Sequence, residues 1–322
     1  MKKKNLLFLS LTLLLAGCNA NSNSISNSNY PSTSTSSSAN QTKVYPSIIT
    51  PNGTPTIAIS NYAINHMDDV EVVSGPQPLA AAFASGDKDI IIAPINLGAM
   101  RYNKETNPTY GLYRTIVWDN IYLLSRKEVK TIDDLRGKTV TSYGKGSTPD
   151  VILNTVISST NLSNDITIEY VDNVVMANSA FSSGTADYVI SAQPNISALN
   201  LEGVYVKPLL DFWKTATGLD SYPQSAMFVK ISKYEELKPA LKEIDASIEL
   251  VTKDVGTTAK NAEKVTGTFK EALLTKAIPN SGYKSFNNEK ELVEGYFNAM
   301  INLGLSANMG GKLPDEKFYL NK

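Results

Sequence analysis

The segment with the richest local chemistry is Tyr143-Gly144-Lys145-Gly146-Ser147-Thr148-Pro149. Gly144 and Gly146 let backbone approach a ligand closely. Ser147 and Thr148 can cap a helix that starts here, and the free N–H groups of such a start favour an anion or a polar oxygen. Lys145 adds a cation. A plain capped turn has the same composition, so this loop is a candidate for binding and carries no catalytic group. It is not a nucleotide phosphate loop. Gly137-Lys138-Thr139 looks like the end of one, but position 132 is Ile where that motif needs Gly.

Other candidates sit at the ends of apolar runs. Asn96, in Ala93-Pro94-Ile95-Asn96-Leu97-Gly98, can both donate and accept, which suits a neutral or zwitterionic ligand. An Asn-capped turn is the plainer reading, and Leu97 and Gly98 share the position. Trp118 can stack on a ligand or fill a core. Gln193, in Ser191-Ala192-Gln193-Pro194, mirrors the Ala93-Pro94 turn, and Asn61 and Tyr62 follow what reads as the first strand. These are groups that could contact a ligand, and none of them requires a cofactor.

The chain has one Cys and one His, which excludes an internal disulfide and a Cys/His tetrahedral zinc site. His66 reads as a polar turn residue. No Gly-x-Ser-x-Gly is present for a serine hydrolase. Lys+Arg 30 against Asp+Glu 31 leaves a net charge of −1, so no broad basic field exists for nucleic acid. Hydrophobic residues at 42% and charged residues at 19% fit a folded globular protein.

The N-terminus reads as a processing signal over 1–17. Lys2, Lys3 and Lys4 precede an apolar run from Leu6 to Leu15, and Leu15-Ala16-Gly17-Cys18 follows. The run is shorter than the ~20 apolar residues a membrane span needs. Residues 18–43 are mostly Ser, Asn and Thr, a composition that cannot bury enough apolar surface to fold and reads as a flexible linker.

The elements that must position the candidate residues alternate between strand and helix. Strands are expected at Thr56–Ile59, Val70–Val73, Asp89–Ala93, within Thr115–Leu124, and at Lys138–Ser142, Ile166–Tyr170, Ala186–Ile190 and Ala226–Lys230. Helices are expected at Pro78–Ser85, Asp150–Ser159, Val174–Ser182, Glu235–Thr252, Thr258–Val265 and Glu289–Leu303. A strand–helix–Gly–strand unit occurs twice, with Ser85-Gly86-Asp87-Lys88-Asp89 echoed by Ser183-Gly184-Thr185-Ala186-Asp187. The pattern predicts an α/β protein of two lobes, each a mostly parallel sheet flanked by helices. The expected boundaries are 44–140 and 225–322 for lobe 1 and 141–224 for lobe 2, with ligand held where the strand ends of the two lobes face each other.

At this point the chain resembles substrate-binding lipoproteins of bacterial ABC importers. Within their type II periplasmic-binding fold it is similar to the branch that binds nitrate, alkanesulfonates, taurine and thiamine-pyrimidine precursors. The segments that carry the likeness are Ala84–Pro94, Ile132–Val140, Ser183–Tyr188 and Gly311–Tyr319. Leu15-Ala16-Gly17-Cys18 likewise matches the lipobox. The resemblance implies diacylation of Cys18, an extracytoplasmic membrane face, permease and ATPase partners, and a monomeric receptor. An enzyme of the thiamine-pyrimidine synthase type is the alternative on the same fold. That synthase uses a Lys and a His in the loop occupied here by Ala93–Gly98, plus a cysteine-rich run, and this chain has neither. One departure is expected: only Asn61–Asp69 separates Ile59-Ser60 from Val70, too few residues for the full first helix of that family.

Overall fold

A computed structural model describes residues 45–321 apart from Asn161 and Ser163. The expected leader, Cys18 and the Ser/Asn-rich segment lie outside the described residues. Two five-stranded mixed sheets organise the chain. The first has the order β2-β1-β3-β10-β4, built from β1 (Ile48–Pro51), β2 (Val70–Val73), β3 (Ile90–Pro94), β4 (Tyr110–Trp118) and β10 (Pro223–Lys230). The second has the order β7-β6-β8-β5-β9, built from β5 (Tyr122–Ser125), β6 (Thr139–Tyr143), β7 (Thr167–Val171), β8 (Tyr188–Ser191) and β9 (Tyr205–Pro208). β1–β3 and β6–β8 are parallel, as βαβ crossovers require, whereas β10 and β5 run against their neighbours.

The helices are α1 (Thr54–Ala58), α2 (Ser60–Ala63), α3 (Pro76–Ser85), α4 (Ile95–Lys104), α5 (Thr148–Ser158), α6 (Val174–Ser183), α7 (Leu209–Thr217), α8 (Tyr234–Lys253), α9 (Val255–Thr266), α10 (Glu271–Ala277) and α11 (Glu289–Asn302). The repeated sequence unit is real in three dimensions. α3 ends on Gly86 and α6 on Gly184, both left-handed at φ 66° and 78°, and each glycine turns the chain toward a strand of its own sheet.

The expected strand at Thr56–Ile59 is instead helix. Pro55 stands in the first turn of α1, where its missing N–H is harmless, and every residue of α1 is buried. A helix buried on all sides loses its polar stripe, so period cannot separate it from a strand. The true first strand, Ile48–Pro51, follows Pro46 closely and itself ends on Pro51, and prolines normally argue against a strand. With the first strand moved back by about eight residues, α1 and α2 fill the first crossover, and its expected shortening disappears.

The lobe boundary also moves. β5 and the start of β6, expected in lobe 1, belong to the second sheet, so the chain changes sheets at Asp119–Ile121 and returns between α7 and β10. The reason is visible in the run Thr115–Leu124: one apolar stretch is cut in two by Asp119 and Asn120, which take the chain across.

Candidate ligand-binding cleft

Strand register places both crossings on one edge. Ser225 of β10 lies opposite Pro94, and Pro223 opposite Trp118, so the end of β4 lies beside the carboxyl end of β3. In the second sheet Tyr122 lies opposite both Ser191 and Pro208, which puts the start of β5 beside the carboxyl ends of β8 and β9. The loops after β1, β3, β6 and β8 therefore gather around the two connecting segments. That is where open α/β sheets bind ligands.

Asp119 locks the crossings together. It has φ 51°, a left-handed backbone that Asp tolerates better than most residues. Its carboxylate accepts Tyr222 N–H at 2.9 Å and Ser221 Oγ–H at 2.7 Å, and Lys284 Nζ approaches at 2.8 Å. Trp118 N–H donates to Gly282 O at 2.8 Å, so close that a Cβ on Gly282 would stand 1.6 Å from Trp118 O. Next in the chain, the fully buried Asn120 donates to Gln193 O at 3.0 Å and accepts Gln193 N–H at 2.9 Å. It also reaches Thr54 Oγ1, at the start of α1, at 3.4 Å. One side chain thus ties the end of β8 to the loop after β1.

Across the cleft, Asn96 Nδ2 donates to Gly146 O at 3.3 Å and Asn308 O at 3.4 Å. The two sequence candidates, one after β3 and one after β6, are brought together. Thr148 Oγ1, 1% exposed, meets the hydroxyl of Tyr296 on α11 at 3.4 Å. Gly144 and Gly146 are left-handed at φ 65° and 77°, as the loop requires, and a Cβ on Gly146 would lie 2.9 Å from Asn308 Nδ2. Ser147 Oγ–H donates to Gly144 O at 2.6 Å. Lys145 is exposed, with its ammonium 5.2 Å from the Tyr170 ring centre.

Asp150, in the first turn of α5, takes up one N–H of this loop. Its carboxylate accepts Gly146 N–H at 2.8 Å, which places an acid of the chain beside the helix start. Asn154 Nδ2 at 2.6 Å and the Tyr170 hydroxyl complete its shell. Burial, and next its bond to Asp150, push the Tyr170 phenol up to about 12.

Other expected contacts fall elsewhere. Gly98 packs α4 on β10: a Cβ there would stand 2.1 Å from the Phe228 ring. Leu97 packs against the main core. Trp118 is fully buried edge-on to Phe286, centroids 4.8 Å apart, so it is core. The Gln193 side chain turns back to accept Ser197 Oγ–H at 2.7 Å, and the Gln193–Pro194 bond is cis. Asn61 and Tyr62 lie away from the site, because the segment before them is the helix α1 and not a strand. Asn61 donates to Thr258 Oγ1 at 2.8 Å and accepts from Asn261 at 2.9 Å, while Tyr62 N–H donates to Ser247 Oγ at 2.9 Å. His66 stacks on Tyr62 and packs at a tilt against Tyr45, with ring centres at 4.3 and 4.5 Å. Among the described residues no group of three or more His, Cys, Asp and Glu side chains could hold a metal ion.

Sequence reasoning missed Asn120, Asn308 and Thr54. Asn120 had a signal, a polar residue interrupting an apolar stretch. Asn308 had none, because only the return of the C-terminal segment brings it to the loop.

A family model described as NMT1/THI5 like matches residues 69–249, more than half of the chain. The chain belongs to this family. No curated protein sequence matches it significantly. Among solved structures it is similar to an ABC transporter protein from Parabacteroides distasonis, at 20% identity and a TM-score of 0.71, covering 85% of this chain and 98% of that one. It is also similar to the periplasmic aliphatic sulphonate-binding protein SsuA of Escherichia coli, at 17% identity and a TM-score of 0.61, covering 85% and 93%. A third is the alkanesulfonate-binding protein SsuA of Xanthomonas axonopodis pv. citri, solved bound to MOPS, at 18% identity and a TM-score of 0.55, covering 83% and 93%. At these identities the likeness establishes the fold, a two-lobed periplasmic-binding arrangement. Among the described residues no helix is long and apolar enough to cross a membrane.

Proposed function

We propose that this NMT1/THI5-like protein is the solute-binding component of an ABC importer. It captures a small organic molecule between its lobes and hands it to a membrane permease driven by an ATPase. The observation that carries the reading is the bond from Asn96, on the loop after β3, to Gly146 O, on the loop after β6. Such a contact exists only while the lobes are together, and closure around a ligand is the working motion of hinged binding proteins. The relatives of known structure named for sulfonate binding share the fold and supply the first compounds to try.

In this reading residues 1–17 are a leader and Cys18 is acylated. Residues 18–43 then tether a monomeric receptor to the extracytoplasmic face of the membrane. Two acyl chains suffice for stable anchoring, at ~0.8 kcal/mol per buried methylene. Asn96, Gly144, Lys145, Gly146, Ser147 and Thr148 remain the proposed contact group, joined by Asn120 and Thr54. Binding is favoured over catalysis because the lone imidazole, His66, is held between two tyrosines beside α2, and the lone cysteine belongs to the leader junction.

The test is a thermal-shift screen of the mature chain against sulfonates, taurine and thiamine-pyrimidine precursors. A solute at 100 times its Kd adds roughly 2.7 kcal/mol. Asn96→Ala and Gly146→Asp should abolish the shift; unchanged binding in both would remove the site from this cleft.

A further inference from the structure

We infer that the cleft selects a neutral or cationic solute that presents N–H donors, and disfavours sulfonates. This rests on the receptor reading above and narrows its cargo. The first observation is the amide of Asn96, a residue 7% exposed. Both atoms near its Nδ2 are carbonyl oxygens, Gly146 O and Asn308 O, which fixes the amide's orientation, since two carbonyls can face only the N–H end. Its Oδ1 is buried and has no partner in the protein. A buried acceptor without a donor is unfavourable until something supplies one.

The second observation is independent and electrostatic. Asp150 is 4% exposed, and its carboxylate is held by Gly146 N–H, Asn154 Nδ2 and the Tyr170 hydroxyl, all neutral donors. Lys145, one turn of loop away, lies over the Tyr170 ring and not on the carboxylate. Gly146 joins the two observations, since its N–H goes to Asp150 and its C=O receives Asn96. The loop that would meet an anion therefore has a buried carboxyl group of the protein's own behind it.

The third is the placement of every guanidinium. Arg101 donates to Ala80 O, Arg114 pairs with Asp245, Arg126 donates to Phe181 O, and Arg136 pairs with Asp133 and Asp165. Lys284, the cation at the crossings, is committed to Asp119. The planar fork that holds a sulfonate or carboxylate in two bonds is thus used elsewhere four times over.

The experiment is calorimetric titration of the full mature chain with four probes: benzylammonium, 4-aminopyrimidine, benzenesulfonate and ethanesulfonate. Wild type, Asp150→Asn and Asn96→Ala are compared, each checked for an unchanged far-UV spectrum. An N–H probe should bind at least tenfold more tightly than either sulfonate. Asp150→Asn should narrow that ratio for benzylammonium at least threefold, and Asn96→Ala should weaken 4-aminopyrimidine at least threefold more than it weakens either sulfonate. A sulfonate that binds wild type more tightly overturns the inference, as does a ratio unmoved by both variants or no N–H probe binding at 10 mM. The receptor reading is judged separately, by denaturing the purified chain and analysing released small molecules by mass spectrometry. A released sulfonate ends the inference and leaves the receptor standing. No released solute, together with no titrating probe, ends both.

Discussion

Asp119 is the residue on which the junction between the lobes should depend most, and replacing it with Ala gives a number that can be checked. Three interactions disappear: Tyr222 N–H at 2.9 Å, Ser221 Oγ at 2.7 Å and Lys284 Nζ at 2.8 Å. Lys284 is 45% exposed and returns to water, so its loss contributes little. Tyr222 is fully buried, so its amide is stranded, at about 1–3 kcal/mol. The bond from Ser221 to a charged acceptor adds about 1 kcal/mol or more. Ala at φ 51° adds about 1 kcal/mol of backbone strain that Asp or Asn relieves locally. The expected loss is therefore about 3–5 kcal/mol, read as a lower urea midpoint with an unchanged slope. Asp119→Asn keeps an oxygen for Tyr222 and tolerates the left-handed backbone, so it should lose less than half as much. If Asp119→Ala loses under 1 kcal/mol, or Asn is as damaging as Ala, the clamp does not hold the crossings.

Two further expectations separate stability from binding. Asn61→Ala removes the bonds to Thr258 and Asn261 between α2 and α9, and should lower stability by about 1–2 kcal/mol while leaving solute affinity unchanged; a weaker affinity would restore Asn61 to the site. Glu289 is raised above its ordinary value by burial, against the opposing effect of the Thr115 N–H it accepts. A carboxyl raised in the native state keeps its proton after the unfolded chain has lost it, so its contribution falls as pH rises from about 4.3. Glu289→Gln should remove that decline, matching wild type at pH 4 and equalling or exceeding it at pH 7 in thermal melts. A variant less stable than wild type at pH 7 would refute this sign.

Much of the cleft was legible because its residues follow strands, and strands declare themselves by composition. Asn96 and Gly146 are such cases: each stands just past an apolar run, and parallel topology sends all such ends to one edge. Asn61 and Tyr62 were misplaced for the same reason in reverse. A helix buried on every face, Thr54–Ala58, has no polar stripe to betray it, while a strand flanked by prolines, Ile48–Pro51, carries the marks of a loop.

The sequence by itself determined the α/β alternation, the repeated lobe unit closed by Gly86 and Gly184, and the scarcity of reactive groups. These depend on local backbone preference and composition, which neighbours in the chain settle. The tertiary structure alone decided what stands behind the loop after β6. Asp150 reads in sequence as an ordinary first-turn acid, and only folding buries it among neutral donors behind Gly146. It also decided the partners that engage Arg101, Arg114, Arg126 and Arg136, and that Asn308 closes on Asn96 from 212 residues away. Burial, and the partners that answer it, are properties of the packed chain that no short stretch of sequence contains.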